Sequence, residues 1–246
     1  MLAHPQWGAS EPAVEYPDSD GEPVAENTLQ LDWIILLKTN LDHQLADFVA
    51  ADLFWYPVEG DPKVKMAPDT MVALGRPKGA RGSYQQWEEG GVAPQVVIEV
   101  LSPGNSFLEM KRKLRFYERF GVEEYYILDP YEASVAAYLR RDGRLQPQPE
   151  AGSVVSPRLG IRFEKQGGEL KVFLPDGRPF EDFAAKAKEA DEERRRADDE
   201  KRRADDEKRR ADDEIRRADD EKRRADALAA KLESLGIDPN AIHPPR

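Results

Sequence analysis

The chain has 246 residues, 35% charged and 39% hydrophobic, with a formal net charge of −11. That is room for one domain of ordinary size plus an extension too polar to build a core. The charge balance excludes a broadly basic nucleic-acid-binding chain, so any DNA contact must come from local patches.

Residues 1–27 are rich in Pro, acids and small residues, and six acids without a Lys or Arg fall in residues 1–30. They read as an irregular acidic arm. From Thr28 the pattern turns helical: Leu29, Trp33, Leu36, Leu37, Leu41, Leu45 and Phe48 recur at three- and four-residue steps, with Thr28 or Asn27 as cap. Residues 52–58, DLFWYPV, predict a strand stopped by EGDPK. A short strand follows at 70–74, entered through Pro68-Asp69, and then a Gly-rich loop from Gly75 to Gly91. Val96 to Leu101 is an apolar strand broken once, by Glu99. SPGN ends it and leads into a helix with Phe107, Met110, Leu114, Tyr117 and Phe120 on one face, closed by Gly121. EYYIL (124–128) and SVAAYLR (134–140) predict a hairpin, and residues 153–180 further edge β-structure. The order helix, strand, strand, strand, helix, strand describes a mixed sheet flanked by helices over one core, spanning residues 28–180.

The tail is different material. From Ala197 the chain repeats ADDEKRR, ADDEKRR, ADDEIRR, ADDEKRR, with Ala197, Ala204, Ala211 and Ala218 in heptad register. Each repeat gives one small apolar residue where a firm coiled coil takes two large ones. It does give acid-before-base pairs four residues apart, such as Asp198 with Arg202, each worth ~0.2–0.5 kcal/mol. A charged helix over 181–235 is expected, either a weak self-associating coiled coil that makes a homodimer or a solitary helix. Ile215, Leu228, Leu232 and Leu235 are its partner-pinning candidates, and 236–246 is a flexible tail. With no cysteine, no basic-then-apolar start and no stretch long enough to span a bilayer, a cytoplasmic protein with no membrane association is expected. His4, His43 and His243 make no metal-ligand spacing.

The chemistry concentrates at two carboxylates. On the strand, Val97, Glu99 and Leu101 share one face and Val96, Ile98 and Val100 the other. An unpaired carboxylate buried there costs several kcal/mol. If the strand beginning after Asp69 is a neighbour, the two acids converge at one end of the sheet, where a hard cation such as Mg²⁺ suits them. Lys113, on the next helix beside Leu114 and three residues after Met110, has a stem long enough to reach over that end. Lys111 cannot face the sheet as well.

APDTMVALGRPKG, VVIEVLSPGN, a Lys-bearing helix and GVEEYYILDP together resemble the Uma family of restriction-endonuclease-like proteins, within the PD-(D/E)XK nuclease superfamily. The resemblance covers roughly residues 16 to 180. It implies the αβββαβ nuclease core and Mg²⁺- or Mn²⁺-dependent hydrolysis of phosphodiester bonds in DNA. It places the paired acids at Asp69 and Glu99, which with the backbone carbonyl of Val100 would hold the metal. The superfamily lysine normally stands two residues after the second acid; Leu101 occupies that position here, and the resemblance moves the lysine to Lys113. Glu26 is its candidate for a helix-borne acid assisting the metal. Arg76, Lys78 and Arg81, with Tyr84 and Trp87 on the Gly-rich loop, have a composition suited to contact with nucleic acid. The expectation is an endonuclease made dimeric by its tail; the alternative is an inactive nuclease fold serving as an interaction protein on a coiled-coil stalk.

Overall fold

The computed structural model describes residues 14–19, 21, 24–149 and 152–235. His4, His243, the first thirteen residues of the arm and the tail 236–246 lie outside the described residues. The chain divides into two compact units, Met1–Phe183 and Ala184–Arg246.

In the first unit, the Asn27 side chain accepts from the Gln30 amide (3.0 Å) and opens helix α1 (Thr28–Gln44). Strands β1 (Asp47–Ala50), β3 (Thr70–Pro77) and β5 (Val96–Val100) run antiparallel, with the short β2 (Trp55–Tyr56) and β4 (Tyr84–Gln85) inserted between them in the chain. Helix α2 (Phe107–Phe120) carries the crossover from β5 to the parallel β6 (Glu124–Asp129). Hairpins add β7 (Ser134–Arg141) and β8 (Arg144–Pro147), giving a six-stranded sheet in the order β1-β3-β5-β6-β7-β8. The elements α1, β1, β3, β5, α2 and β6 make the mixed αβββαβ core of a restriction-endonuclease-like α/β fold.

The alternation read in the sequence decides which helix covers which face. Val96, Ile98 and Val100 pack with Ile34, Leu37 and Leu41 of α1, whereas Val97 packs with Tyr117 of α2, Met71 and Tyr125. Ser106 caps α2, and Gly121, at φ 99°, closes it in the left-handed conformation that a glycine adopts at least cost.

Three expectations need correction. The first helix stops at Gln44, not Phe48, because Leu45 is already extended and Phe48 and Val49 point to opposite cores, which is strand alternation. Over four residues, helical and strand spacing cannot be told apart. The strand that joins the sheet is therefore Asp47–Ala50, and 52–58 supplies only Trp55 and Tyr56, paired in parallel with β4 outside the main sheet. Residues 153–180 form no edge of that sheet. They build their own three-stranded sheet from β9 (Ser153–Val155), β10 (Arg162–Gln166) and β11 (Glu169–Phe173), whose Phe163, Leu170 and Val172 enter the core on the α1 side. Near the end of this unit, Asn40 of α1 acts as a strand edge would: its side chain donates to the Glu181 carbonyl and accepts the Glu181 amide, both at 2.9 Å.

In the second unit, α3 (Phe183–Ser234) runs without interruption for 52 residues. No Gly or Pro breaks it, and its acids and bases alternate at four-residue steps along an exposed surface. Ile215 and Leu228 are exposed.

Candidate active site

The antiparallel register that pairs Thr70 with Ile98 and Met71 with Val97 puts Asp69 opposite Glu99 at the mouth of β3 and β5. Asp69 is 9% exposed and Glu99 1%. The Asp69 carboxylate continues the ladder in place of a backbone carbonyl, its Oδ2 accepting the Val100 amide at 2.7 Å.

Glu99 points to the α2 side, and α2 is built to meet it. Lys113 and Tyr117 are four residues apart and so share a helix face. Lys113 Nζ donates to Glu99 Oε2 at 2.8 Å, and the Tyr117 hydroxyl donates to Glu99 Oε1. The lysine that the sequence places on the helix thus reaches the second acid. Lys111 is exposed, as the helical geometry requires. Leu101, where a lysine normally stands, instead lines a cavity of about 430 Å³ with Met110, Leu114, Ile127 and Tyr138 beside the site.

The electrostatics are those of a place short of positive charge. Burial and then the neighbouring Glu99 charge push the Asp69 carboxyl up to about 8. Burial alone would lower the Lys113 ammonium, but Glu99 and Asp69 outweigh it and hold its pKa above the ordinary value. The two acids thus favour the charged form of Lys113. Burial holds the Tyr117 phenol well above its usual range, so it remains a donor.

Two participants were not foreseen. Gln30 Nε2 donates to the Val100 carbonyl (3.0 Å) and lies 3.5 Å from Asp69 Oδ2, while its Oε1 accepts the Glu26 amide at 2.9 Å. Its signal was present, since Gln30 continues the buried stripe of Ile34, Leu37 and Leu41 back by one helical step. Tyr117 was legible only as a core aromatic. The Glu26 carboxylate itself is exposed; it accepts the Ser102 hydroxyl and lies against Gly104, so close that a Cβ there would collide with it. Glu26 thus joins the site through its backbone and Gln30. Among the described residues no group of three or more His, Cys, Asp or Glu side chains is arranged to hold a metal ion.

Arg76, Lys78 and Arg81 are matched by acids. Arg76 and Arg81 share the largely buried Glu89, at 2.9 and 2.5 Å, and the Arg81 guanidinium lies 3.9 Å from the Phe48 ring centre. Lys78 pairs with Asp42 at 3.3 Å and donates to its carbonyl.

A Mg²⁺-type cation takes a few hard oxygen donors and leaves the rest to water. Two buried acids paired across β3 and β5, together with the Val100 carbonyl, fit that donor set. No helix among the described residues is long and apolar enough to cross a membrane. No curated protein matches the sequence. Among solved structures, the chain is similar to a putative nuclease belonging to DUF820 from Anabaena variabilis ATCC 29413. The identity is 18%, covering 52% of this chain and 69% of that one, at a TM-score of 0.37, too low to bear on the fold. The model of the Uma2 family, "Putative restriction endonuclease", matches residues 3–170, more than half of the chain. With paired acids and a helix-borne lysine meeting at the end of its sheet, this chain belongs to the Uma2 family.

Proposed function

We propose that the chain is a divalent-cation-dependent endonuclease that hydrolyses phosphodiester bonds in DNA. The observation that carries this reading is the buried apposition of Asp69 and Glu99, with Lys113 held on Glu99 at 2.8 Å. Asp69, Glu99 and the Val100 carbonyl would hold Mg²⁺ or Mn²⁺. When bound, such a cation supplies electrophilic charge at the scissile phosphate. The residues of the chain do the rest. Glu99 is fixed from both sides, by the Lys113 ammonium and the Tyr117 hydroxyl, so it has little freedom to swing. Lys113, held as a cation beside Glu99, orients an attacking water and offsets negative charge growing on the phosphate. Gln30 keeps the Val100 carbonyl aimed at the same point.

The test is nicking of supercoiled plasmid by the purified full chain with Mg²⁺ or Mn²⁺, beside Asp69→Ala and Glu99→Ala. The wild type should nick and both variants should not. A wild type that leaves plasmid intact, or variants that nick equally well, would sink the reading and favour an inactive interaction protein.

A homodimer through α3 is part of the same proposal. The alanine heptads and the exposed Ile215 and Leu228 support it, because a stripe of small residues lets two helices approach closely. Sedimentation of the full chain as a monomer would end it. Cysteine-free composition suits a reducing compartment, and we place the enzyme in the cytoplasm.

A further inference from the structure

Helix α2 carries five cations and only two acids. Lys113 turns inward to Glu99. The other four, Lys111, Arg112, Arg115 and Arg119, are exposed, and none forms an ion pair among the described residues. The two acids are engaged elsewhere: Glu109 lies 3.9 Å from Lys113, and Glu118 accepts the Leu145 amide at 2.9 Å.

At about 100° per residue, the four cations fall within an arc of roughly 100°, on the side of the helix turned away from Lys113 and Tyr117. From Lys111 to Arg119 they cover about 12 Å of helix axis. Lys111, Arg115 and Arg119 stand at successive four-residue steps, where like charges repel by ~0.2–0.5 kcal/mol a pair. Apart from Arg119, whose charge suits the last turn, helix stability gains nothing from this row. The contrast with the Gly-rich loop is chemical: Arg76, Arg81 and Lys78 have carboxylates of their own, whereas the α2 row has none. In a chain of net charge −11, an unneutralised cationic stripe is a local exception that a polyanion would complete. Its N-terminal end is at the same end of the sheet as Asp69 and Glu99, because only six residues separate the last residue of β5 from the first of α2. Leu108 and Phe107, among the most exposed apolar side chains at 75% and 79%, flank that end.

We propose that the outer face of α2, through Lys111, Arg112, Arg115 and Arg119, is the surface along which the phosphate backbone of DNA lies. This rests on the nuclease reading and names where its substrate is held. The helix then serves both tasks: its inner face presents Lys113 to the reacting phosphate and its outer face binds neighbouring phosphates. The Gly-rich loop, whose cations are already matched, plays no part in the binding.

The experiment is fluorescence anisotropy of a short labelled DNA duplex with the full chain, without divalent cations, over a series of salt concentrations. The variants are the four single Gln substitutions, their combination (Lys111→Gln, Arg112→Gln, Arg115→Gln, Arg119→Gln) and Lys78→Gln. Each phosphate contact adds ~0.9 to the slope of log affinity against log salt. The combined variant should therefore lose a slope of roughly 3 to 4 and at least tenfold in affinity, each single variant about 0.9, and Lys78→Gln nothing. Circular dichroism checks that the combined variant is folded, and the single variants carry the test if it is not. A wild-type slope in the single and combined variants, a Lys78→Gln loss as large as theirs, or no measurable duplex binding by the wild type overturns the proposal. Plasmid nicking separates the two readings. Nicking by the wild type together with unchanged binding by the α2 variants removes this surface alone. Binding that depends on α2 without any nicking removes the nuclease and leaves the surface.

Discussion

Glu99 and Glu124 are glutamates on neighbouring parallel strands, both nearly inaccessible, and the chain uses them in opposite ways. Glu124 opens β6 on the α1 side of the sheet, 3% exposed. It accepts the Tyr126 hydroxyl (2.9 Å), the Ser156 hydroxyl and the Arg158 amide (2.7 Å). Those donors are neutral and complete, and they tie the segment leading from β9 to β10 onto the main sheet. The Arg158 guanidinium goes to Glu123 instead. Glu99, at the other end of β5 and on the other face, has a charged partner in Lys113 but also a second carboxylate opposite it. A buried acid satisfied by dipoles is a joint. A buried acid kept beside another acid is a place where positive charge is wanted.

That difference can be broken by substitution. The largest expected effect is on chemistry: Asp69→Asn should lower plasmid nicking by at least about 10²-fold, while stability to denaturant without divalent cations holds or rises, because the folded chain no longer has to keep a buried carboxyl protonated. A clear loss of stability would mean that Asp69 is a joint like Glu124. Next in size, Glu124→Ala strands the Tyr126 and Ser156 hydroxyls and the Arg158 amide, and should cost about 2–4 kcal/mol in denaturant unfolding. Nicking per folded molecule should be unchanged; a loss comparable with that of Asp69→Asn would erase the distinction.

The smallest effect sharpens the comparison through pH. The Asp69 carboxyl is pushed up to about 8 from an ordinary 3.8. Between those values the folded chain keeps a proton that the unfolded chain has lost, so stability must fall as pH rises through the window and level off above about 8. Glu124 is also raised, by burial, and acts in the same direction. Asp69→Asn removes only the first contribution, so the variant's advantage over the wild type should grow from pH 5 to about 8. Denaturant titrations at several pH values measure it, and a constant difference would show that Asp69 is not held protonated. A divalent cation displaces that proton, so its stabilising effect should grow over the same window.

Much of this was legible because the informative residues obey simple periods. Alternation along β5 gave the face of Glu99, and helical spacing separated Lys113 from Lys111. The capping region before Phe107 and Gly121 bounded α2. What was hidden depended on long-range choices. The edge strand Asp47–Ala50 is too short to carry its own period. Gln30 and Tyr117 were visible as members of apolar stripes, but only the fold shows that those stripes end on Val100 and Glu99. The ion pairs of the Gly-rich loop were hidden because Glu89 and Asp42 could not be assigned to its cations by spacing alone. Glu124 gave no sign of its burial, since an acid at the start of a strand ordinarily faces water.

The doubled bond between Asn40 and Glu181 has a consequence in time. It joins positions 141 residues apart, so α1 cannot acquire this buried polar partner until residue 181, near the end of the unit, has been made. Contacts of such separation form late, after the loop they close has been paid in entropy. During synthesis the α1 face therefore waits with a polar side chain in its apolar surroundings, and the arrival of residue 181 marks the moment at which the domain can close.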